Sequence, residues 1–303
     1  MLLKSTLKKN DYATESNKIL NSGVAGQVQE IQMEIKSIEI TKEEHLDYLE
    51  SSTRLMLWFA REWKKAHPDE DFESIVRNRT DIWRKTSFFP GGPDDPLSGY
   101  SEAWLEILHR LLKAYGETKD DSDSVRFEEI CVELLKPYWP GRIDRDIMEH
   151  PNVTQKAGYQ CGSLRYNLAP DKDDSTQIKI HIANACYPGS LFEDRLYLPA
   201  CLLVLTTQCA AKFGVTKIGT GTWLNSYPKW LALFPDEWSE NMSQPNEDIR
   251  YHYGFWGQFL TSRRTFNHKL GTKFRKTGKM PYAHRNSWCS ISSLRKHLES
   301  KYF

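Results

Sequence analysis

A histidine, an asparagine, a tyrosine and a serine fall close together at His181, Asn184, Tyr187 and Ser190, side chains that acid–base chemistry and anion binding draw on. From Gln177 to Ile182 isoleucines take the even positions, and Gln177, Lys179 and His181 the odd ones. A strand here turns His181 to its polar face at the carboxyl end, where ligands of α/β sheets gather. Histidine also suits a general base, because its unperturbed pKa lies nearest neutrality. The following loop brings Pro188, a permissive Gly189 and the Ser190 hydroxyl to the expected start of a helix, where free amides and the dipole favour an anion. The same three residues would also serve simply to make a turn and cap a helix. Cys186 lies near His181 in the chain and reads as a buried thiol, not as half of a Cys–His pair.

Two further stretches carry polar chemistry. "GTGTWLNSYP", residues 219–228, combines Gly219 and Gly221 with Thr220, Thr222, Asn225 and Ser226. It reads either as a strand end approached by another backbone or as a twisted strand with a buried Trp223. From Arg263 onward, Arg264, Lys269, Lys273, Arg275, Lys276, Lys279, Arg285, Arg295, Lys296 and Lys301 face a single acidic residue, Glu299. Phe266, Phe274, Tyr282 and Trp288 are interleaved with them. Such a block is a solvated face, or it binds a phosphate, a coenzyme or a nucleic acid. Nine histidines form no HExxH and no zinc-finger pairing with cysteine, so no metal site is expected, and there is no GxSxG.

The elements that must position these residues follow from length and pattern. A chain of 303 residues suits two lobes, since single cores stop growing at about 250–300 residues. With 39% apolar and 27% charged residues and a net charge of +1, a packed protein is expected, not one whose whole surface serves nucleic acid. Six cysteines without a CxxC pair read as reduced thiols of a cytoplasmic protein. The apolar run Ala200–Leu205 is far short of the ~20 residues of a membrane span, so no membrane partner is expected.

Residues 1–27 read as a flexible leader, and 28–40 as a strand with a slip near Ser37. Thr41 and Glu44 have capping-box spacing, and Leu46, Leu49, Thr53, Met56, Ala60 and Trp63 then share a helical face that stops before Pro68. "FFPGGPDDPLSG", 88–99, is a loop, with helices around Trp104–Tyr115 and Phe127–Leu135 joined by the acidic "ETKDDSDS". Residues 28–157 thus form a mainly helical lobe. Residues 158–303 form a second domain with a basic C-terminal tail: a hairpin around "PDKDDS", a helix from Leu196 to Phe213 ended by Gly214, a strand over 215–224 and a short helix begun by Pro228. The fold class is α+β, a helical N-terminal lobe followed by a mixed sheet with packed helices.

The segments "GSLRYNL", "IKIHIANACYPGSLFED", "IGTGTWLNSYPKWLALFP", "FRKTGKMP" and "SLRKHL", in that order across about residues 158–298, resemble a bacterial family of acyltransferases with a GNAT-like C-terminal domain. The resemblance implies a GNAT-like sheet that holds acyl-CoA or CoA in a splay between two strands. Ile182 and Asn184 would flank the pantetheine, and Pro188, Gly189 and Ser190 would meet the pyrophosphate at a helix start. Gly221, Thr222 and Trp223 would form the opposite wall. His181 would take the proton of a small amine acceptor, a backbone amide near Asn184 would face the oxyanion, and Tyr187 or Ser190 would protonate the thiolate. "ACYPGS" departs from the superfamily's usual Q/R-x-x-G-x-G/A loop. The other readings are a non-enzymatic protein whose basic tail holds a nucleic acid or an acidic protein partner, and an acyltransferase fold kept for protein contact.

Overall fold

The computed structural model describes residues 41–90, 100–149 and 160–303. The expected leader 1–27, the strand 28–40 and most of the loop 88–99 lie outside the described residues. In chain order the described elements begin with helices α1 (Lys42–Ala66), α2 (Phe72–Arg79), α3 (Glu102–Glu117), α4 (Ser124–Leu135) and α5 (Trp139–Glu149). Strands β1 (Leu164–Tyr166) and β2 (Gln177–Ile182), helix α6 (Tyr197–Phe213), strand β3 (Lys217–Thr222) and short helices α7 (Pro228–Leu231) and α8 (Asp236–Glu240) come next. Helices α9 (Tyr253–Trp256) and α10 (His268–Thr277), strand β4 (Arg285–Ser290) and helix α11 (Ile291–Tyr302) complete the series. The class is therefore mixed α+β, as expected. No helix among the described residues is long and apolar enough to cross a membrane.

The chain divides into two compact units, each made of separate stretches of the chain. The helical unit contains residues 41–149 together with Glu247–Tyr282; the sheet unit contains residues 160–246 and Ala283–Phe303. Residues 247–282, read from sequence as part of the second domain and its basic tail, thus complete the helical core. Phe274 of α10 is fully buried and lies 5.3 Å from the Trp58 ring and 5.8 Å from Phe59, both on α1. Arg275 beside it makes a two-pronged pair with Glu128 of α4, 2.8 Å at each contact.

Within the helical unit α1 starts as its capping box requires: Thr41 Oγ1 accepts from the Glu44 amide and Glu44 Oε2 from the Thr41 amide, both at 3.1 Å. Leu49, Thr53, Met56 and Ala60 are buried on its inner face. The acidic connector after α3 is tied to α1, because the buried Arg61 guanidinium donates to the carbonyls of Thr118 and Asp120. Helix α5 is not foreshadowed, since Pro140 and Gly141 open it; proline fits a helix only in its first turn, and glycine disfavours one.

Among the described residues the sheet unit holds four strands in the order β1-β2-β3-β4. β1 and β2 form the expected antiparallel hairpin, β2 and β3 run parallel, and β3 and β4 are antiparallel. Leu164, Tyr166, Ile178, Ile180, Ile218 and Cys289 are buried in one cluster with α6 and with Ile291, Leu294 and Leu298 of α11. α6 is buried almost all round, as its unbroken apolar sequence demands, and ends at Gly214 with φ 68°. β4 escapes a pattern reading because its inward residues, Ser287 and Cys289, are small and polar or sulfur-bearing.

Candidate functional site

The sheet parts between its two parallel strands. β2 and β3 pair at Gln177↔Lys217, Ile178↔Ile218 and Lys179↔Gly219 and no further, although β2 runs on to Ile182 and β3 to Thr222. Each diverging half stays tied to its outer neighbour. β1 holds β2 through Tyr166↔Ile180, Arg165↔His181 and Leu164↔Ile182, and β4 holds β3 as far as Thr222↔Arg285. The alternation of ladder bonds then decides which backbone groups face the gap. Because Asn167 N–H donates to the Lys179 carbonyl and Ala183 N–H to the Ser163 carbonyl, odd residues of β2 turn to β1, and Ile180 and Ile182 turn to β3. Because Ile291 N–H donates to the Thr216 carbonyl, Gly221 turns its amide and carbonyl toward β2.

The far end of β3 is anchored by Asn225, which is fully buried. Its Nδ2 donates to the carbonyls of Thr220 at 2.9 Å and Arg285 at 2.8 Å, and its Oδ1 accepts from the indoles of Trp230 at 3.0 Å and Trp238 at 3.2 Å. Asn225 is therefore structural and has no capacity left for a ligand. Thr222 is buried and its Oγ1 accepts from the Leu224 amide at 3.2 Å. Trp223 is not buried as the strand-only reading expects; it is half-buried, with its ring 6.1 Å from Tyr227. Tyr227 in turn lies 5.2 Å from Phe192, so the loop after β2 and the turn after β3 meet through aromatic rings.

That loop differs from the expected helix start. α6 begins at Tyr197, and residues 191–196 make turns and a bend, so Pro188, Gly189 and Ser190 do not sit at a helix N-terminus and Ser190 caps no helix. The reason is local competition for amides. Glu193 Oε2 accepts from the Ser190 amide at 3.1 Å, Ser190 Oγ from Phe192 at 3.3 Å and Asp194 Oδ1 from Leu196 at 2.7 Å. Asn184 braces the loop: its Nδ2 donates to the Gly189 carbonyl and its Oδ1 accepts from the Cys186 amide, both at 2.9 Å. A Cβ at Gly189 would stand 2.6 Å from Glu193 Oε2, so glycine is what lets that carboxylate close over the loop. Tyr187 is buried, and its peptide bond to Pro188 is cis.

His181 is half-buried on β2, and its Nε2 lies 2.6 Å from Asn167 Oδ1. Since a carbonyl oxygen only accepts, the ring hydrogen is on Nε2 and Nδ1 is the acceptor. Burial, with Arg165 and Lys179 nearby, pulls the His181 pKa down to about 4. Cys186 is apart from this chemistry: burial raises its pKa to about 11, and its hydrogen bonds run to Tyr197 and Ser163. One residue that sequence reasoning missed is His284, only 6% exposed, whose ring donates to the Gly221 carbonyl and whose pKa burial lowers.

The helical unit holds a second buried polar group, around Lys85. Its Nζ lies 2.8 Å from Tyr48 Oη and 3.1 Å from an Asp81 oxygen. Burial favours the uncharged amine, but Tyr253, Tyr48 and Asp81 together hold the Lys85 pKa well above its usual value. Lys85 is thus held in its charged form. The cavity beside it, lined by Tyr48, Ser52, Trp256 and Phe266 among others, measures about 10 Å³, room for about one water. Among the described residues no group of three or more His, Cys, Asp or Glu is placed to hold a metal.

The basic block is divided between the units: residues 263–279 belong to the helical unit, and Arg285, Arg295, Lys296 and Lys301 to the sheet unit. Arg295 reaches Thr207 and Glu299, and Lys301 donates to the Ala232 carbonyl. Compared with known protein families, curated proteins and solved structures, the chain matches none.

Proposed function

We propose that the sheet unit is a GNAT-like, acyl-CoA-dependent acyltransferase domain that passes an acyl group to an amine or similar small acceptor. The observation that carries this reading is the parting of β2 from β3 after Lys179↔Gly219. A gap with main-chain groups of Ile180 and Ile182 on one wall and the Gly221 amide on the other suits an extended ligand that itself bears amides, as the pantetheine arm of CoA does. Trp223 and Thr222 continue the Gly221 wall, and Asn184 the other.

The phosphates would lie by Pro188, Gly189 and Ser190, where the Glu193 carboxylate already occupies the Ser190 amide. Glu193 would therefore have to swing away. In the transfer, the acceptor nitrogen forms a bond to the thioester carbon as the C–S bond breaks. His181, neutral and with Nδ1 as acceptor, takes the amine proton, and Tyr187 or Ser190 supplies one to the thiolate. A conjugate acid near pKa 4 makes His181 a weak base, so the acceptor amine must arrive uncharged. Acetyl-CoA at millimolar concentration should raise the unfolding midpoint, with a gain of about 2.7 kcal/mol at a hundredfold excess over Kd. No shift at that concentration overturns the reading.

A second reading has its own observation. Lys269, Lys273 and Lys276 are exposed along α10, with Lys279 just beyond, and none of the four has an ion pair among the described residues. Such a stripe fits a polyanion, nucleic acid or acidic protein. Neutralising Lys269, Lys273 and Lys276 should flatten a steep salt dependence of nucleic-acid binding, and weak, salt-insensitive binding by the unaltered protein removes it.

A further inference from the structure

We infer that His284 is the wedge that keeps β2 and β3 apart, a positioning residue for an amide-bearing extended ligand in the gap; this rests on the acyl-CoA reading for the ligand's identity but not for the wedge. In a parallel pair that continued past Lys179↔Gly219, the Gly221 amide would donate to the Ile180 carbonyl, and the Ile182 amide to the Gly221 carbonyl. The Gly221 carbonyl is instead the acceptor for the ring N–H of His284. A side chain from the start of β4 has taken the place of the next rung of the ladder.

Three features make the replacement possible. His284 is fixed at its own backbone, where Asn246 N–H donates to its carbonyl at 2.8 Å, so the ring is delivered from a held position. It crosses β3 over a glycine: a Cβ at position 221 would stand 3.2 Å from His284 Cε1 and 3.3 Å from Nε2, and would collide with Asn286 Oδ1. The ring is almost fully buried there, and burial keeps it neutral. A neutral imidazole with one N–H is a donor to a carbonyl without bringing a charge into the gap. The consequence for function is that the Ile180 carbonyl and the Ile182 amide are left facing the gap, one acceptor and one donor on the same strand edge. That is the pattern a ligand amide can match by adding itself to the edge as a strand would.

Amide hydrogen exchange of the unaltered protein without coenzyme tests the gap, and His284 variants test the wedge. Ile180 N–H donates across the last rung to Gly219, so the Ile182 amide should exchange at least about tenfold faster than the Ile180 amide; equal protection of the two overturns the proposal. In His284→Ala the strands should close, slowing Ile182 exchange, while His284→Gln, which retains a donor, should leave it fast. Unchanged exchange in a folded His284→Ala protein also overturns the proposal. If His284→Ala does not fold, His284→Gln decides: slow Ile182 exchange in that folded variant overturns the proposal. Adding CoA then separates the two ideas: a fast Ile182 amide that CoA does not slow leaves the wedge standing and removes the acyl-CoA reading.

Discussion

Asn225 uses every hydrogen-bonding position it has on four buried partners. Asn225→Ala would leave two indole N–H groups and two carbonyls short of a partner, so urea denaturation should show a loss of about 3–5 kcal/mol. His181 makes a different prediction, in pH. Its folded pKa of about 4 lies below the ordinary 6.5, so the folded state binds fewer protons than the unfolded chain. The associated stability is fully present above pH 6.5 and is lost as pH falls toward 4, by about 3 kcal/mol in all. Denaturant titrations at pH 7 and pH 4 should differ by at least that amount, since His284 and Asp146 are shifted in the same direction, and His181→Gln should remove the His181 part of the difference. At this scale the sequence is legible where a pattern surrounds the residue: isoleucines at 178, 180 and 182 declare which face His181 takes. His284 is not legible, because its importance comes from crossing a glycine of another strand, and its neighbours in β4 have no apolar alternation.

Elements are legible where their ends are signalled chemically. Thr41 and Glu44 announce the start of α1 and Gly214 the end of α6, and both ends are where those residues put them. Thr41→Ala should therefore cost about 1 kcal/mol in the helical unit's unfolding free energy, read by calorimetry. The segment 190–196 is illegible for a matching reason. Ser190 has the look of a cap, but the carboxylates of Glu193 and Asp194 accept the amides that a helix start would need. Glu193→Gln keeps the shape and removes the negative charge from the place where a phosphate would lie. It should enlarge the thermal shift given by CoA, and a smaller shift would mean that Glu193 helps hold the coenzyme. The gap between β2 and β3 is the part of the site that only pairing reveals: both strands read as strands to their ends, and no residue type marks where their ladder stops.

At the scale of the whole molecule, a mainly helical unit and a mixed sheet unit interrupt each other along the chain, which no local pattern announces. Residues 247–282 look like a continuation of the second domain because they follow it and are basic. Their buried aromatic residues, Phe255, Trp256, Phe259 and Phe274, belong to the helical core. A polypeptide of residues 41–150 alone should consequently lack a cooperative thermal transition and a near-ultraviolet dichroism signal. A sharp transition in that fragment would mean that 247–282 are dispensable to the core. The interruption also sets an order of events during synthesis. The helical core cannot close until the ribosome has passed residue 282, so Trp104, Trp139 and the inner face of α1 must wait, at ~5–20 residues per second, for on the order of ten seconds after their own segment is made. Throughout that interval the nascent chain offers unfinished aromatic surface to whatever else is nearby, which makes this fold one whose yield in the cell should depend on chaperones more than its final stability would indicate.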